Sequence, residues 1–112
     1  MTTTPHVYIA GPMTGYPEYN YPAFTEAAAA LRANGRTVTS PHELHDNDFS
    51  RPFDWYLRRD LAALLTCTDI VLLPGWEASR GAHLELDVAI GLGMPQHLYL
   101  GDGQTRTVAY PA

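Results

Sequence analysis

Residues 69–74 (Asp-Ile-Val-Leu-Leu-Pro) constrain the fold of this chain more than any other segment. Four consecutive apolar residues between an acid and a proline are typical of a strand that is covered on both faces. Strands of an antiparallel sheet usually alternate apolar and polar residues because one face meets water, and this run does not alternate. The segment therefore predicts a central strand of a parallel sheet with helices on both sides.

The rest of the chain supplies the other elements of such a sheet. Helical spacing and capping residues predict three helices, and short β-prone runs predict three more strands. The predicted strands are residues 6–10, 36–40, 69–74 and 96–100, the predicted helices are 21–34, 53–65 and 79–92, and the tail, 104–112, adds an edge strand or a partner contact. This alternation predicts an α/β fold, a doubly wound parallel sheet of four to five strands with helices on both faces, flavodoxin-like or Rossmann-like. A length of 112 residues predicts a single domain, 1–112.

Composition argues against several classes of partner. The net charge is −5 and no Lys/Arg cluster is present, so binding to a nucleic-acid polymer is not expected. No apolar run approaches the roughly 20 residues that span a bilayer, and the first five residues do not resemble a secretory signal. The single cysteine, Cys67, forms no Cys-x-x-Cys motif and is expected to be a buried, inert thiol. A cytoplasmic location without a membrane role is the expectation.

Ligands of doubly wound sheets bind beyond the carboxyl ends of the strands, which here selects the loops after Ala10, Ser40 and Leu73. The first of these loops, 11–15, begins with Gly11, Pro12 and Met13, and its glycines could let backbone N–H groups approach an anion. Its spacing matches neither the dinucleotide fingerprint nor the P-loop. A plain loop is therefore an equally good interpretation.

Glu85 is the strongest candidate for chemistry. It shares a helical stripe with Gly81, Ala89 and Leu92, so it faces the sheet, where a charge is costly unless it is paired or used. The neighbouring Asp87 points elsewhere and can pair with His83. The alternative interpretation is that Glu85 lies at the edge of the stripe and is solvated.

Asp60 is the second candidate acid. On the predicted helix 53–65 it borders the apolar stripe formed by Leu57, Leu61, Leu64 and Leu65. The alternative interpretation is a surface ion pair with a nearby arginine.

Two further groups of residues allow more than one interpretation. The loop after the second strand contains potential metal ligands, but their spacing fits no zinc pattern, so neither a metal nor a cofactor is expected. These residues are His42, His45, Asp46 and Asp48. Four aromatic residues on predicted loops could stack on a nucleobase or fill a subunit contact. They are Tyr16, Tyr19, Tyr21 and Trp76.

Four motifs together resemble the nucleoside 2-deoxyribosyltransferase superfamily, which includes the 2′-deoxynucleoside 5′-monophosphate N-glycosidases. They are Tyr8-Ile9-Ala10-Gly11-Pro12, Asp60-Leu61, the run 69–73 and Ser79-x-Gly81-x-x-x-Glu85. The resemblance covers residues 6 to 100 and is greatest to a shorter branch found in phages and bacteria.

The resemblance implies a retaining reaction at C1′ of a deoxyribose. Glu85 would be the nucleophile that forms a covalent glycosyl-enzyme intermediate, Asp60 the acid that protonates the departing base, and Tyr8 the residue that orients Glu85. Water or a second base would then resolve the intermediate. Family members complete their sites with residues of a neighbouring subunit, which implies a homodimer or larger assembly.

Ser79 implies the class of substrate. The transferases typically carry an acid at this position, whereas the monophosphate hydrolases carry a serine, and a serine at a helix N-terminus beside Arg80 favours a phosphate. The expected substrate-binding residues are Gly11, Pro12, Met13, Trp76, Ser79, Arg80 and Gly81. Two departures from the family, His83 in place of a glycine and the short chain, leave the preferred base open.

The sequence thus predicts cleavage of the N-glycosidic bond of 2′-deoxynucleoside 5′-monophosphates or deoxynucleosides, with hydrolysis and transfer both open. Two other functions fit the same pattern. One is a non-catalytic nucleotide-sensing domain of the same fold, and the other is a flavodoxin-like protein that acts only through partner contacts.

Overall fold

A five-stranded sheet organises residues 5–109, the part of the chain that the computed structural model describes. The strands are β1 (His6–Ala10), β2 (Thr37–Thr39), β3 (Asp69–Leu72), β4 (Gln96–Gly101) and β5 (Gln104–Val108). The helices are α1 (Tyr21–Ala33), α2 (Phe53–Leu64) and α3 (Arg80–Gly91). Short 3₁₀ turns occupy Pro17–Asn20, Pro41–Glu43 and Trp76–Ala78.

The strand order is β2-β1-β3-β4-β5, and the first four strands are parallel. This confirms the predicted doubly wound α/β fold, with each predicted helix and strand found to within two residues. The prediction of an edge strand in the tail is confirmed for Gln104–Val108, whereas residues 110–112 of that tail lie outside the described residues. Residues 1–4, on which the interpretation of the N-terminus partly rests, also lie outside them.

The prediction of a wholly parallel sheet is wrong at its edge, because β5 runs antiparallel to β4. Two residues with positive φ, Asp102 (φ 51°) and Gly103 (φ 76°), join the two strands. A connection of this length can only reverse the chain, whereas a parallel strand needs a crossover of about a dozen residues or more.

The side chains of β1 alternate between two apolar layers. Val7 and Ile9 pack in a cluster with Phe24 and Leu31 of α1. Tyr8 and Ala10 face the opposite layer, which α2 and α3 cover. Both faces of the central strands are therefore buried, which explains why the run 69–74 does not alternate in polarity.

Two leucines that were predicted to face the sheet are exposed. Leu65 is 61% exposed because α2 ends at Leu64, which takes the buried position of the last turn, and the next residue lies about 100° further round the axis. Leu92 is 54% exposed because α3 ends at Gly91. None of the helices formed by the described residues combines the length and apolar character needed to cross a membrane.

Gly11 is required by a close packing contact at the end of β1. A Cβ atom built on this residue would lie 2.8 Å from the Cβ of Leu73, closer than real side chains approach. Leu73 is 1% exposed and cannot swing aside without opening the core. The glycine that was predicted to admit an anion is thus needed so that the first loop can pass over the end of β3.

We expect Gly11→Ala to lower the free energy of unfolding by about 1–3 kcal/mol, because the added methyl group forces the loop away from Leu73. Gly91→Ala is the matched control, since no atom lies within 4 Å of a Cβ at that helical position. The control should raise stability by roughly 0.5–1 kcal/mol. Urea denaturation measures both, and equal stability of the two variants would contradict the packing argument.

Candidate active site

A cavity of about 590 Å³ lies at the carboxyl end of the sheet. All three loops predicted from strand topology contribute to its wall, the loops after β1, β2 and β3. The predicted site residues that line it are Gly11, Pro12, Met13, Asp60, Ser79, Arg80, Gly81 and Glu85. Tyr8 lies directly behind this wall, where it contacts Glu85. Trp76 was predicted to contact substrate, but it does not line the cavity.

Glu85 is buried at the floor of the cavity, with 5% of its surface exposed. It lies on the side of α3 that also carries the buried Ala82 and Ala89, whose small side chains let the helix sit close to the sheet. The hydroxyl of Tyr8, from β1, donates a hydrogen bond to Oε2 of Glu85. The alternative of a solvated Glu85 is therefore wrong, and the side chain is held at the interface between α3 and β1.

The environment of Glu85 favours the neutral acid. Burial raises the pKa of the Glu85 carboxyl well above its usual value, the negative charge of Asp60 raises it further, and the hydrogen bond from Tyr8 opposes both. Burial also raises the pKa of Tyr8, so its phenol remains a neutral donor at neutral pH. The charge on Glu85 thus depends on whether Asp60 is charged.

Asp60 is also buried, but its partner is a histidine. Nε2 of His45 lies 2.7 Å from Oδ1 of Asp60, and the two residues are 2% and 8% exposed. The alternative of a surface ion pair with an arginine is wrong, since the adjacent Arg58 and Arg59 lie within 4.0 Å of other acids. Burial raises the pKa of Asp60, and the hydrogen bond and charge of His45 oppose the shift.

His45 extends this contact into a longer hydrogen-bonded chain. Its Nδ1 lies 3.0 Å from the hydroxyl of Tyr21, and its ring meets the edge of the Tyr56 ring at 4.8 Å between centroids. The sequence indicated His45 only as a potential metal ligand, because its contact with Asp60 joins a loop to a helix 15 residues away. No local sequence pattern reveals such a contact. The sequence did predict that the loop after β2 lies at the carboxyl end of the sheet, where ligands bind.

The other potential ligands in this loop have separate partners. His42 is hydrogen-bonded to Ser40, Asp48 binds Ser50 and Arg51, and Asp46 faces Arg59. Across residues 5–109, no three His, Cys, Asp or Glu side chains lie together in a way that could hold a metal ion.

The N-terminus of α3 forms one side of the cavity. Ser79 caps the helix, its Oγ accepting the backbone N–H of Ala82 at 3.1 Å, so the hydroxyl proton is free to point into the cavity. The Arg80 guanidinium lies 4.5 Å above the ring of Phe53. Arg51 also lines the cavity, a second cation that the sequence did not single out. Serine, two arginines and a helix N-terminus together favour an anionic ligand group.

Aromatic side chains form the outer wall. Tyr16, Tyr19 and Tyr21 line the cavity, as one of their two predicted roles requires. Trp76 is only 6% exposed and packs in the core, with its ring 5.1 Å from that of His83. The turn Trp76–Ala78 directs it inward, so this placement does not fit a contact with substrate. The exposed side chain of His83 was predicted to pair with Asp87. It bonds the carbonyl oxygen of Glu77 instead.

Two loops of unusual backbone conformation carry part of this wall. Glu18, Tyr19 and Asn20 have φ between 52° and 61°, and Asp46 and Asn47 have φ of 55° and 53°. Such values are uncommon for residues other than glycine. Asn20 donates to the carbonyl oxygen of Pro12 at 2.9 Å. The rings of Tyr19 and Phe49 stack between the two loops, 4.8 Å apart at an angle of 7°.

Cys67 lies away from the cavity wall, as expected for an inert thiol. It is buried and unpaired by disulfide, its Sγ lies 3.4 Å from the carbonyl oxygen of Ala63, and burial raises the pKa of its thiol.

Comparison with known proteins gives a family and a fold. Residues 5–97 match the family described as a domain of unknown function (DUF4406). No curated protein matches the chain. Among the similar solved structures are two 2-deoxyribosyltransferases, each with a TM-score of 0.65.

The first of these structures comes from the psychrotolerant bacterium Bacillus psychrosaccharolyticus and is 24% identical, with 83% of this chain and 70% of that one aligned. The second comes from Leishmania mexicana and is 17% identical, with 85% of this chain aligned to 63% of that one, so this chain spans less than two thirds of its length. At these identities the similarity shows a shared fold.

The buried position of Glu85 predicts how stability depends on pH. Because the pKa of Glu85 is raised in the folded protein, the folded state binds this proton more tightly than the unfolded chain. The ordinary pKa of a glutamate carboxyl is about 4.5. As pH rises from that value towards the raised pKa of Glu85, the ionisation of this group therefore lowers the free energy of unfolding. Glu85→Gln carries no charge and should be more stable than wild type at pH 8, by on the order of 1 kcal/mol or more.

Urea denaturation at several pH values tests this expectation, and the advantage of Glu85→Gln should shrink towards pH 4. Asp87→Asn is the matched control, since Asp87 is exposed on the same helix. A glutamine variant that is no more stable than wild type at pH 8 would contradict the proposed cost of burying this charge.

Proposed function

The chain belongs to the DUF4406 family, and from the geometry of its cavity we propose that it is an enzyme that cleaves the N-glycosidic bond of 2′-deoxynucleoside 5′-monophosphates. One observation carries the proposal, a buried carboxyl group, Glu85, that Tyr8 holds at the floor of a cavity beside a second buried carboxyl group, Asp60. Two acids in different environments are what a glycosidase needs, one as nucleophile and one as acid.

The shared fold supports this class of reaction. The two solved structures described above are 2-deoxyribosyltransferases, which favours deoxyribosyl transfer or cleavage in general. Free deoxynucleosides are the second class of substrate, and transfer to another base is the second outcome of the same chemistry.

The reaction begins with attack of a Glu85 carboxylate oxygen on C1′. The bond from C1′ to the base nitrogen breaks, its electron pair stays on the base, and Asp60 donates a proton to that nitrogen. A covalent deoxyribosyl ester on Glu85 results. Water, or a second base, then attacks C1′, Asp60 accepts the released proton, and the Glu85 carboxylate is regenerated.

The electrostatics of the cavity support these roles. A protonated Asp60 no longer carries the negative charge that raises the pKa of Glu85, so the nucleophile can ionise while the acid is loaded. The Tyr8 hydroxyl stabilises the carboxylate and fixes which oxygen remains free for attack. Once the proton has left Asp60, Glu85 is an uncharged ester, and the two negative charges never coexist during the first step.

The anionic end of the cavity supports a monophosphate. Ser79 and Arg80 lie at the N-terminus of α3, on the helix that carries Glu85 one and a half turns later. A carboxylate in place of Ser79 would repel a phosphate dianion, whereas the hydroxyl can donate to it. Arg51 adds charge from the opposite loop. We also expect a homodimer or larger assembly in the cytoplasm, consistent with the exposed aromatic rim.

We expect purified protein to release free base from deoxynucleoside 5′-monophosphates, measured by chromatography over a panel of four bases. Glu85→Gln should lower kcat/KM by at least about 1,000-fold while ligand binding persists, because the nucleophile acts chiefly in the transition state. Asp87→Asn, an exposed acid on the same helix, should retain the wild-type rate.

Ligand-dependent thermal stabilisation without any product, in folded wild-type protein, would overturn the enzymatic proposal and favour a nucleotide sensor. If nucleotides neither react nor stabilise the protein, a role through partner contacts alone would be favoured.

We expect Ser79→Asp to reverse the preference between a deoxynucleoside monophosphate and its free nucleoside, through repulsion of the phosphate. Arg80→Gln should raise KM for the monophosphate by about 10-fold or more and change the nucleoside reaction little. Arg58→Gln removes the same charge from a side chain that is 84% exposed and outside the cavity wall, and should change neither. An unchanged preference in both cavity variants would place the phosphate elsewhere.

A further inference from the structure

Three hydrogen-bonded side chains from three separate elements end at the carboxyl group of Asp60. They run from Tyr21 on α1, through His45 in the loop after β2, to Asp60 on α2. All three line the cavity. A buried imidazole between a phenol and a carboxyl group is not needed to fill this space, because an apolar ring would fill it at a lower desolvation cost.

The chain has two consistent arrangements of protons. In one, the Tyr21 hydroxyl donates to Nδ1 of His45, and the Nε2–H of His45 donates to an ionised Asp60. In the other, one more proton is present and is held between Nε2 and Oδ1, while Nδ1–H donates to the Tyr21 oxygen. Neither arrangement leaves a buried polar atom without a partner, and among the described residues no buried side-chain polar atom lacks one.

The extra proton decides the charge of the whole site. Without it, Asp60 and Glu85 carry two negative charges in a buried place, which is strongly unfavourable. With it, the pair of His45 and Asp60 is neutral in total and Glu85 can be the single carboxylate. Without the imidazole, only the Asp60 carboxyl group could hold this proton. Nε2 of His45 provides a second position for it, so that Asp60 can stay ionised while the pair keeps the proton.

We propose that His45 and Asp60 act as one acid, and that His45 holds in reserve the proton that Asp60 delivers to the departing base. The inference rests on the proposed function and deepens it by assigning a positioning residue for the general acid. When the bond from C1′ to the base nitrogen breaks, the proton passes from the pair to that nitrogen, leaving neutral His45 and ionised Asp60. The water that resolves the intermediate returns a proton to the pair.

The groups that face His45 are consistent with this role. Asp60 and Tyr56 face it from α2, Tyr21 from α1 and His42 from the neighbouring turn. The Tyr56 hydroxyl donates to the carbonyl oxygen of Asp48 at 2.6 Å, which fixes the ring that packs against the imidazole. Of the charged groups further away, Glu85, Arg51 and Arg80 line the cavity.

The test uses two substrates that differ in their need for an acid. The first is deoxyguanosine 5′-monophosphate, and the second is its 7-methyl derivative, whose base is already cationic and leaves without a proton. We expect His45→Gln to lower kcat/KM for the first by about 100-fold and to shift the alkaline limb of its pH profile. The same variant should react with the methylated substrate within about threefold of wild type.

Matched variants separate a proton role from a structural one. His97→Gln changes a histidine that pairs with another aspartate, Asp69, at 2.7 Å and lies outside the cavity wall, and should leave both rates and the pH profile unchanged. Tyr21→Phe keeps the contact between His45 and Asp60 and should lower the first rate less than His45→Gln does. Equal losses on both substrates, or an alkaline limb that does not move in His45→Gln, would overturn the inference.

A measurement without turnover distinguishes failure of this inference from failure of the proposed function. Proton NMR of the ring N–H groups of His45 reports how strongly the Nε2 proton is shared with Oδ1 of Asp60. In Asp60→Asn the Nε2–H resonance should shift upfield, because an amide oxygen accepts this proton more weakly than a carboxylate does. If wild type releases no base yet this shift is seen, the enzymatic proposal fails and the shared proton stands. If base is released but the shift is absent, only the inference on His45 fails.

Discussion

The hydrogen bond from Tyr8 to Glu85 is the interaction on which the site depends. A carboxyl group buried between a helix and a sheet is tolerated only where a donor meets it, and Tyr8 brings that donor from the central part of the sheet. The tyrosine ring belongs to the core, with no exposed surface, so the position of its hydroxyl is set by core packing. Any shift of α3 along β1 would break this hydrogen bond. The geometry of the cavity therefore depends on how α3 packs on the sheet.

The two buried carboxyl groups have different hydrogen-bond partners. Glu85 meets a phenol, which keeps its proton at neutral pH, whereas Asp60 meets an imidazole, whose ring nitrogen can donate or accept. Burial raises the pKa of both groups, so neither is a free surface acid. The proposed reaction needs one protonated and one ionised carboxyl group, and different hydrogen-bond partners are a way to separate two such acids.

Most of the fold could be predicted because hydrophobic periodicity is a local property. The run 69–74 and the stripes of the three helices gave the correct elements, and the direction of β5 was missed although Asp102-Gly103 is a typical hairpin turn. The burial of Glu85 could be predicted because it lies within an apolar stripe, and that of Asp60 because it borders one. The partnership of His45 with Asp60 could not be found, since it depends on how a loop folds over a helix. Trp76 was misplaced because it lies in a short 3₁₀ turn that packs in the core, and a single turn leaves no periodic pattern in the sequence.

The stacked pair of Tyr19 and Phe49 joins two loops whose backbone includes five non-glycine residues with positive φ. Each such residue costs roughly 1 kcal/mol that other contacts must offset. Glu85 and Tyr8, by contrast, are anchored in a helix and a strand of the core. The wall of the cavity is therefore joined by side-chain stacking between loops, whereas its floor is fixed by core packing.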